Sequence, residues 1–212
     1  KEFHDSRFSK DGDNRVDQDK FYSAADQAER DYLSMIKRLG CEKRILEYGC
    51  GAESSIFGNS YDFKTLEAID ISTSAIELSR RLFKDNPRIS DVKFTEMNAE
   101  DLDFEDGRFD LVVGSGILHH LDLEKSFGEI KRVLSSGGKA VFLEPLGHNI
   151  FINLYRRFTP AARTDDEHPL MIHDLRLARD TFDSVTVDHY ALSGLVCLLI
   201  RASWAGLPIF SL

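Results

Sequence analysis

Four groups of residues in this chain have the types and spacing to do chemistry. The first is Glu47-Tyr48-Gly49-Cys50-Gly51, two glycines set directly after the apolar Ile45-Leu46. Glycines at the carboxyl end of a strand let the backbone turn sharply and lie close against a ligand. The second is Asp70, about twenty residues on, where an acid ending the next strand can bind both hydroxyls of a ribose. The third is Asn98-Ala99-Glu100-Asp101, a polar loop after another apolar run. The fourth is Ser115-Gly116 with His119-His120 close behind. Imidazole titrates near neutral pH and can take a proton from an acceptor. Any one of these is weak, but three ligand-suited strand ends in the right order are far more specific.

These groups need strands to present them. Arg44–Tyr48, Thr65–Asp70, Val92–Thr95, Phe109–Gly114 and Lys139–Glu144 read as five strands. Ser72 can cap a helix carrying Ile76, Leu78, Leu82 and Phe83, and a second helix is expected from Leu123 to Leu134. Asp106-Gly107 and Gly137-Gly138 mark turns into the last two strands. Ahead of them, Phe21, Ala24, Ala28, Tyr32, Met35, Ile36 and Leu39 form one face of a helix that Gly40 ends. Strands alternating with helices imply a parallel sheet covered on both faces. After Pro145 the rhythm breaks: Leu146–Pro169 is irregular and long enough for a lid, Met171–Phe182 reads as helix, and Val185–Tyr190 as a sixth strand.

Composition narrows the function classes. At 212 residues, 42% hydrophobic and 30% charged, the chain is an ordinary globular sequence able to bury a core. Its formal charge of −9 provides no footprint for a phosphate backbone, so nucleic acid is not an expected partner. Cys41, Cys50 and Cys197 show no metal-ligand spacing, so no metal is expected, and so sparse a set suits reduced thiols in the cytoplasm. The chain opens at Lys1 without a secretory signal, and further residues are expected before it.

Two nucleotide readings compete at the glycines. A dinucleotide site wants a small third residue in G-x-G-x-x-G/A, and that position holds Ser54. A site for a cofactor with a cationic methionine amine wants an acid two residues before the first glycine, and Glu47 is there. With Leu46-Glu47-Tyr48-Gly49-Cys50-Gly51, Ile69-Asp70-Ile71-Ser72, Asn98-Ala99-Glu100-Asp101-Leu102, Phe109-Asp110-Leu111-Val112-Val113, Leu118-His119-His120-Leu121 and Val133-Leu134-Ser135-Ser136-Gly137-Gly138, the chain resembles the class I S-adenosylmethionine-dependent methyltransferases of the type 11 group from Ile45 to Pro145. Glu53 departs from the pattern, standing where the family has a third glycine.

The resemblance implies a three-layer, Rossmann-like α/β fold with a seven-stranded, mostly parallel sheet, its last strand beyond Leu212 or missing. It divides the chain into a 1–43 arm and cap helix, a 44–145 cofactor-binding core, a 146–170 acceptor lid, and a 171–212 helix, strand and apolar tail. It implies that Glu47, Gly49, Cys50 and Gly51 border the methionine part of S-adenosylmethionine and that Asp70 binds its ribose. Ile71 would lie beside the adenine, with Asn98, Ala99 and Glu100 at its edge, and Ser115 and Gly116 near the sulfonium. His120, or else His119, is the candidate base, although in-line transfer from a sulfonium depends chiefly on approach and proximity. Tyr22, Asn149, Tyr155, Arg156 and Arg163 are candidates to hold a small-molecule acceptor, most simply one methylated at oxygen. The tail Ala191–Leu212, with Arg201 its one charge, reads as a terminal hairpin, a membrane-surface helix or a truncated end. Two rival functions stay open: a binding scaffold on the same fold, and a nicotinamide-dependent oxidoreductase.

Overall fold

The computed structural model describes residues 26–52, 54, 62–86, 91–145 and 170–190. Five strands form its sheet: β1 Arg44–Tyr48, β2 Thr65–Asp70, β3 Val92–Glu96, β4 Phe109–Ser115 and β5 Leu134–Leu143. All neighbours pair in parallel, in the order β3-β2-β1-β4-β5. Among the described residues four helices accompany them: α1 Asp26–Gly40, α2 Thr73–Phe83, α3 Leu123–Val133 and α4 Ile172–Thr181, with a 3₁₀ turn at Leu118–His120.

The strands carry apolar side chains on both faces, which is why helices must cover both. On one face Ile45, Leu66, Ala68, Leu111 and Val113 pack with Tyr32 and Ile36 of α1 and Ile76 of α2. On the other, Leu46, Tyr48, Ile69 and Val112 pack with Phe127, Ile130 and Val133 of α3 and Ala178 of α4. The helices start where side chains satisfy their first amides. The Ser72 hydroxyl accepts from Ala75 N, and Asp122 Oδ1 accepts from Glu124 N and Lys125 N.

Two expectations are corrected. Val185–Tyr190 is not a sixth strand: no ladder is assigned to it among the described residues, which hold five strands. Alternating apolar residues report one buried face, but a strand also needs a backbone partner. Strand β5 begins at Leu134 rather than Lys139, because the chain turns out of α3 directly beside Phe109. Its register then jumps from Phe109↔Leu134 to Leu111↔Lys139. The glycine pair read as a turn therefore lies in an irregular stretch inside the strand, with Gly137 at φ 73°.

The strand order supplies the site. From β1 the chain steps outward to β2 and β3, then returns to the other side of β1 with β4 and β5. Crossovers leaving in opposite directions open a crevice at the carboxyl ends of β1 and β4, where open α/β sheets bind ligands.

Candidate cofactor and acceptor site

The glycine turn after β1 is tied to the end of β2. Gly49 and Gly51 take left-handed conformations, φ 66° and 59°. Cys50 N–H donates to the Ile69 carbonyl at 2.9 Å and Gly51 N–H to Asp70 Oδ2 at 2.9 Å, while Asp70 Oδ1 accepts from Ser72 N at 2.8 Å. The Asp70 carboxylate thus draws the turn, the strand end and the start of α2 together. A carboxylate has about four acceptor sites, so two amides leave capacity for ribose hydroxyls. Burial pushes the Cys50 thiol well up, with the charges of Glu47 and Asp70 adding to it, so the thiol stays protonated.

Glu47 is only 3% exposed, and its carboxylate accepts from the Ser54 hydroxyl. Its partner is therefore a residue that spacing alone marked as a packing position. A second contact invisible in the sequence involves Ile117. A Cβ added at Gly49 would lie 2.7 Å from Ile117 Cδ1, and one at Gly114 would lie 2.9 Å from Ile117 Cγ2. The missing side chains of both glycines are what let Ile117 sit across the ends of β1 and β4.

The β2 and β3 ends form the next wall. Ile71 is 41% exposed beside Asp70, an apolar face suited to a flat heterocycle. Met97 N–H donates to the Asp70 carbonyl at 3.0 Å, which sets the following loop beside it. Exposed Asn98 accepts from Glu100 N through Oδ1 at 3.0 Å, and Glu100 Oε1 accepts from Asp122 N at 2.8 Å. Ala99 is buried, its carbonyl accepting from the Tyr48 hydroxyl. Burial first, then the charges of Glu129 and Glu100, pushes the Tyr48 phenol above its ordinary range, so it stays a donor.

At the end of β4, Ser115 and the following Gly116 are exposed, and Gly116 (φ 64°) donates its N–H to the Leu143 carbonyl at 2.8 Å. The loop is then gripped by Glu144, a residue the sequence did not single out. Glu144 Oε1 accepts from Ile117 N at 2.9 Å and Leu118 N at 2.8 Å, and Oε2 lies 2.8 Å from His119 Nδ1. The one available signal was a charge closing an apolar strand before Pro145. His119 is 6% exposed, whereas His120 is half-buried, its ring 4.0 Å from that of His119 and tilted by 39°. Of the two, His120 is the more exposed.

Glu53, Tyr22, Asn149, Tyr155, Arg156, Arg163 and the Ala191–Leu212 tail lie outside the described residues. Among the described residues no cluster of His, Cys, Asp or Glu is arranged to hold a metal ion. No helix among them is long and apolar enough to cross a membrane.

Comparison with known proteins agrees with this geometry. Residues 46–142 match a family described as "Methyltransferase domain". The chain is 30% identical over 116 residues to the sarcosine/dimethylglycine N-methyltransferase of Halorhodospira halochloris, covering 53% of this chain and 41% of that protein. It is 33% identical over 76 residues to the ubiquinone/menaquinone biosynthesis C-methyltransferase UbiE of Psychromonas ingrahamii, covering 35% and 30%. It therefore spans less than half the length of these relatives. The fold is that of the Bacillus subtilis protein YcgJ, with TM-score 0.60 at 22% identity over 72% of this chain and 68% of that one. The match runs from within β1 to within β5, across the strand ends and loops that build the crevice, so the part of the chain that carries the candidate site is the part similar to this methyltransferase domain family.

Proposed function

We propose that this chain transfers the methyl group of S-adenosylmethionine to an oxygen of a small-molecule acceptor. The observation that carries the reading is the Asp70 carboxylate, held at the carboxyl edge by Gly51 N and Ser72 N with acceptor capacity remaining. When bound, the cofactor supplies a methyl group on a sulfonium, activated for in-line displacement. Asp70 would hold its ribose, Ile71, Asn98, Ala99 and Glu100 its adenine, and Glu47, Gly49, Cys50 and Gly51 its methionine part. Ser115 and Gly116 would lie near the sulfonium. Tyr22, Asn149, Tyr155, Arg156 and Arg163 are proposed to hold the acceptor. The relatives' names support a small-molecule acceptor; by those names, they act at nitrogen and at carbon. Oxygen is proposed here because a hydroxyl must lose its proton to end as an ether, and imidazole at His120 suits that task. The acidic charge and sparse cysteines favour work in the cytoplasm, away from nucleic acid.

Calorimetric titration of the chain with S-adenosylmethionine and with S-adenosylhomocysteine tests the reading. One-site binding of both is expected. Asp70→Ala should weaken each by about tenfold or more, since hydrogen bonds to a charged group contribute about 1.5–3 kcal/mol. Unchanged binding in a folded Asp70→Ala variant would remove the ribose assignment. Absence of binding by the folded wild type would favour the scaffold reading instead. Isotope-labelled methyl cofactor, followed by NMR of the product, then identifies the attacked atom.

A further inference from the structure

The geometry points to Glu144 as the positioning residue that selects the tautomer of His119 and thereby holds the histidine pair in register for methyl transfer. The inference rests on the transfer reaction proposed above. Glu144 stands one residue beyond β5, yet among the described residues its three hydrogen-bonding contacts go to the loop after β4. A carboxylate is acceptor-only. Its Oε1 is committed to two backbone amides, so Oε2 facing His119 Nδ1 at 2.8 Å also takes a proton, and Nδ1 carries it. In the neutral ring, Nε2 of His119 is then the nitrogen with the lone pair. Only 6% of His119 is exposed, and its Cε1 lies 3.8 Å from where a Cβ of Gly116 would stand. The ring is thus fixed under the turn rather than presented to an acceptor, and the tilted ring of His120 packs against it, centroids 4.0 Å apart. Glu144 acts through His119 and through the amide of Ile117, whose side chain covers Gly49.

Glu144→Gln separates this role from simple support. Glutamine is nearly the same size, and its carbonyl oxygen can keep both amides. Its NH₂ then faces His119 and donates, so Nδ1 must accept and the ring proton moves to Nε2. The first readout is the ¹⁵N chemical shifts of the imidazole nitrogens, assigned by His119→Gln. Protonated Nδ1 in the wild type and protonated Nε2 in Glu144→Gln are expected. The second readout is methyl transfer to an acceptor identified by labelling. There, kcat should fall tenfold or more in Glu144→Gln, with S-adenosylhomocysteine binding within twofold of wild type. A wild-type ring protonated at Nε2, the same tautomer in both proteins, or an unchanged kcat overturns the inference. The nitrogen shifts need no turnover. If the wild type methylates nothing, the function proposed above fails while the tautomer assignment is still decided by the spectra.

Discussion

At the scale of single residues, the glycines do two jobs that the sequence cannot separate. Gly49 permits a left-handed turn, and its bare Cα also receives Ile117. An alanine there meets both penalties. The left-handed conformation costs a residue with a Cβ about 1–2 kcal/mol, and the added methyl would overlap Ile117. Gly49→Ala should therefore destabilise the chain by about 2 kcal/mol or more in thermal unfolding. Adding Ile117→Ala should relieve the overlap and leave the backbone penalty, giving a coupling of about 1 kcal/mol in a double-mutant cycle. Additive effects would show that Ile117 does not use the space over Gly49. The place of Asp70 at the end of β2 was readable from the sequence alone. Its hold on Gly51 N and Ser72 N was not, because amide directions depend on how two loops meet.

At the scale of elements, the loop between β3 and β4 is held by one arginine of α3. Arg132 forks onto Glu129 at 2.8 and 2.7 Å, and donates to the Phe104 carbonyl at 2.6 Å, the Leu102 carbonyl at 2.9 Å and Asp106 at 2.9 Å. Glu129 completes the clamp by accepting from Leu102 N at 2.8 Å, and its carboxyl is held low chiefly by Arg132. This clamp follows directly on the Asn98–Asp101 wall of the site. Arg132→Ala removes the donor to both carbonyls and should cost about 2 kcal/mol, a fall in Tm of about 4–8 °C. Arg132→Lys should recover little, since an ammonium cannot reproduce a planar fork. A lysine variant as stable as wild type by circular dichroism would contradict the clamp. Helix starts at Ser72 and Asp122 were readable locally; Ser72 was in fact expected as a cap, because capping depends on residues within one turn. The start of β5 was misplaced for the opposite reason. Which residue first pairs with Phe109 depends on how α3 delivers the chain to the sheet.

At the scale of the molecule, the two edges of the sheet have separate duties. The carboxyl edge carries the candidate site, while the amino edge is laced by Asp110 of β4. Its carboxylate accepts from the Arg44 guanidinium at 3.1 and 2.7 Å, from Arg44 N at 3.0 Å and from Ser135 Oγ at 3.0 Å, joining β1, β4 and β5. Arg44 holds the Asp110 carboxyl well below the ordinary carboxylate range. A carboxyl whose pKa is lowered by folding contributes stability that is complete above its unfolded pKa of about 3.9. That contribution is lost as pH falls through the lower folded value. With side chains 39% and 26% exposed, the pair is partly screened and contributes about 1 kcal/mol. Asp110→Asn should therefore lower Tm by about 2–4 °C at pH 7, and the difference should close as pH drops below about 4. Cofactor affinity should not change, since Asp110 lies at the far edge. A gap that widened with acid would reverse the assignment.

What the sequence determined by itself was whatever rests on short spacing. The alternation of strand and helix, the glycine turn, the acid ending β2, the polar loop after β3 and the helix caps are all written within a few residues of one another. Local geometry and one-turn hydrogen bonds dictate such features wherever they occur. Only the tertiary structure decided that Ile117 fills the space over Gly49, that Ser54 takes Glu47, and that Glu144, just past the neighbouring strand, grips His119. It also decided that Val185–Tyr190, patterned like a strand, is left without a ladder among the described residues. These contacts depend on which segments the sheet order brings together. The direction in which a side chain meets a distant backbone amide is set by that packing, and no local pattern encodes it.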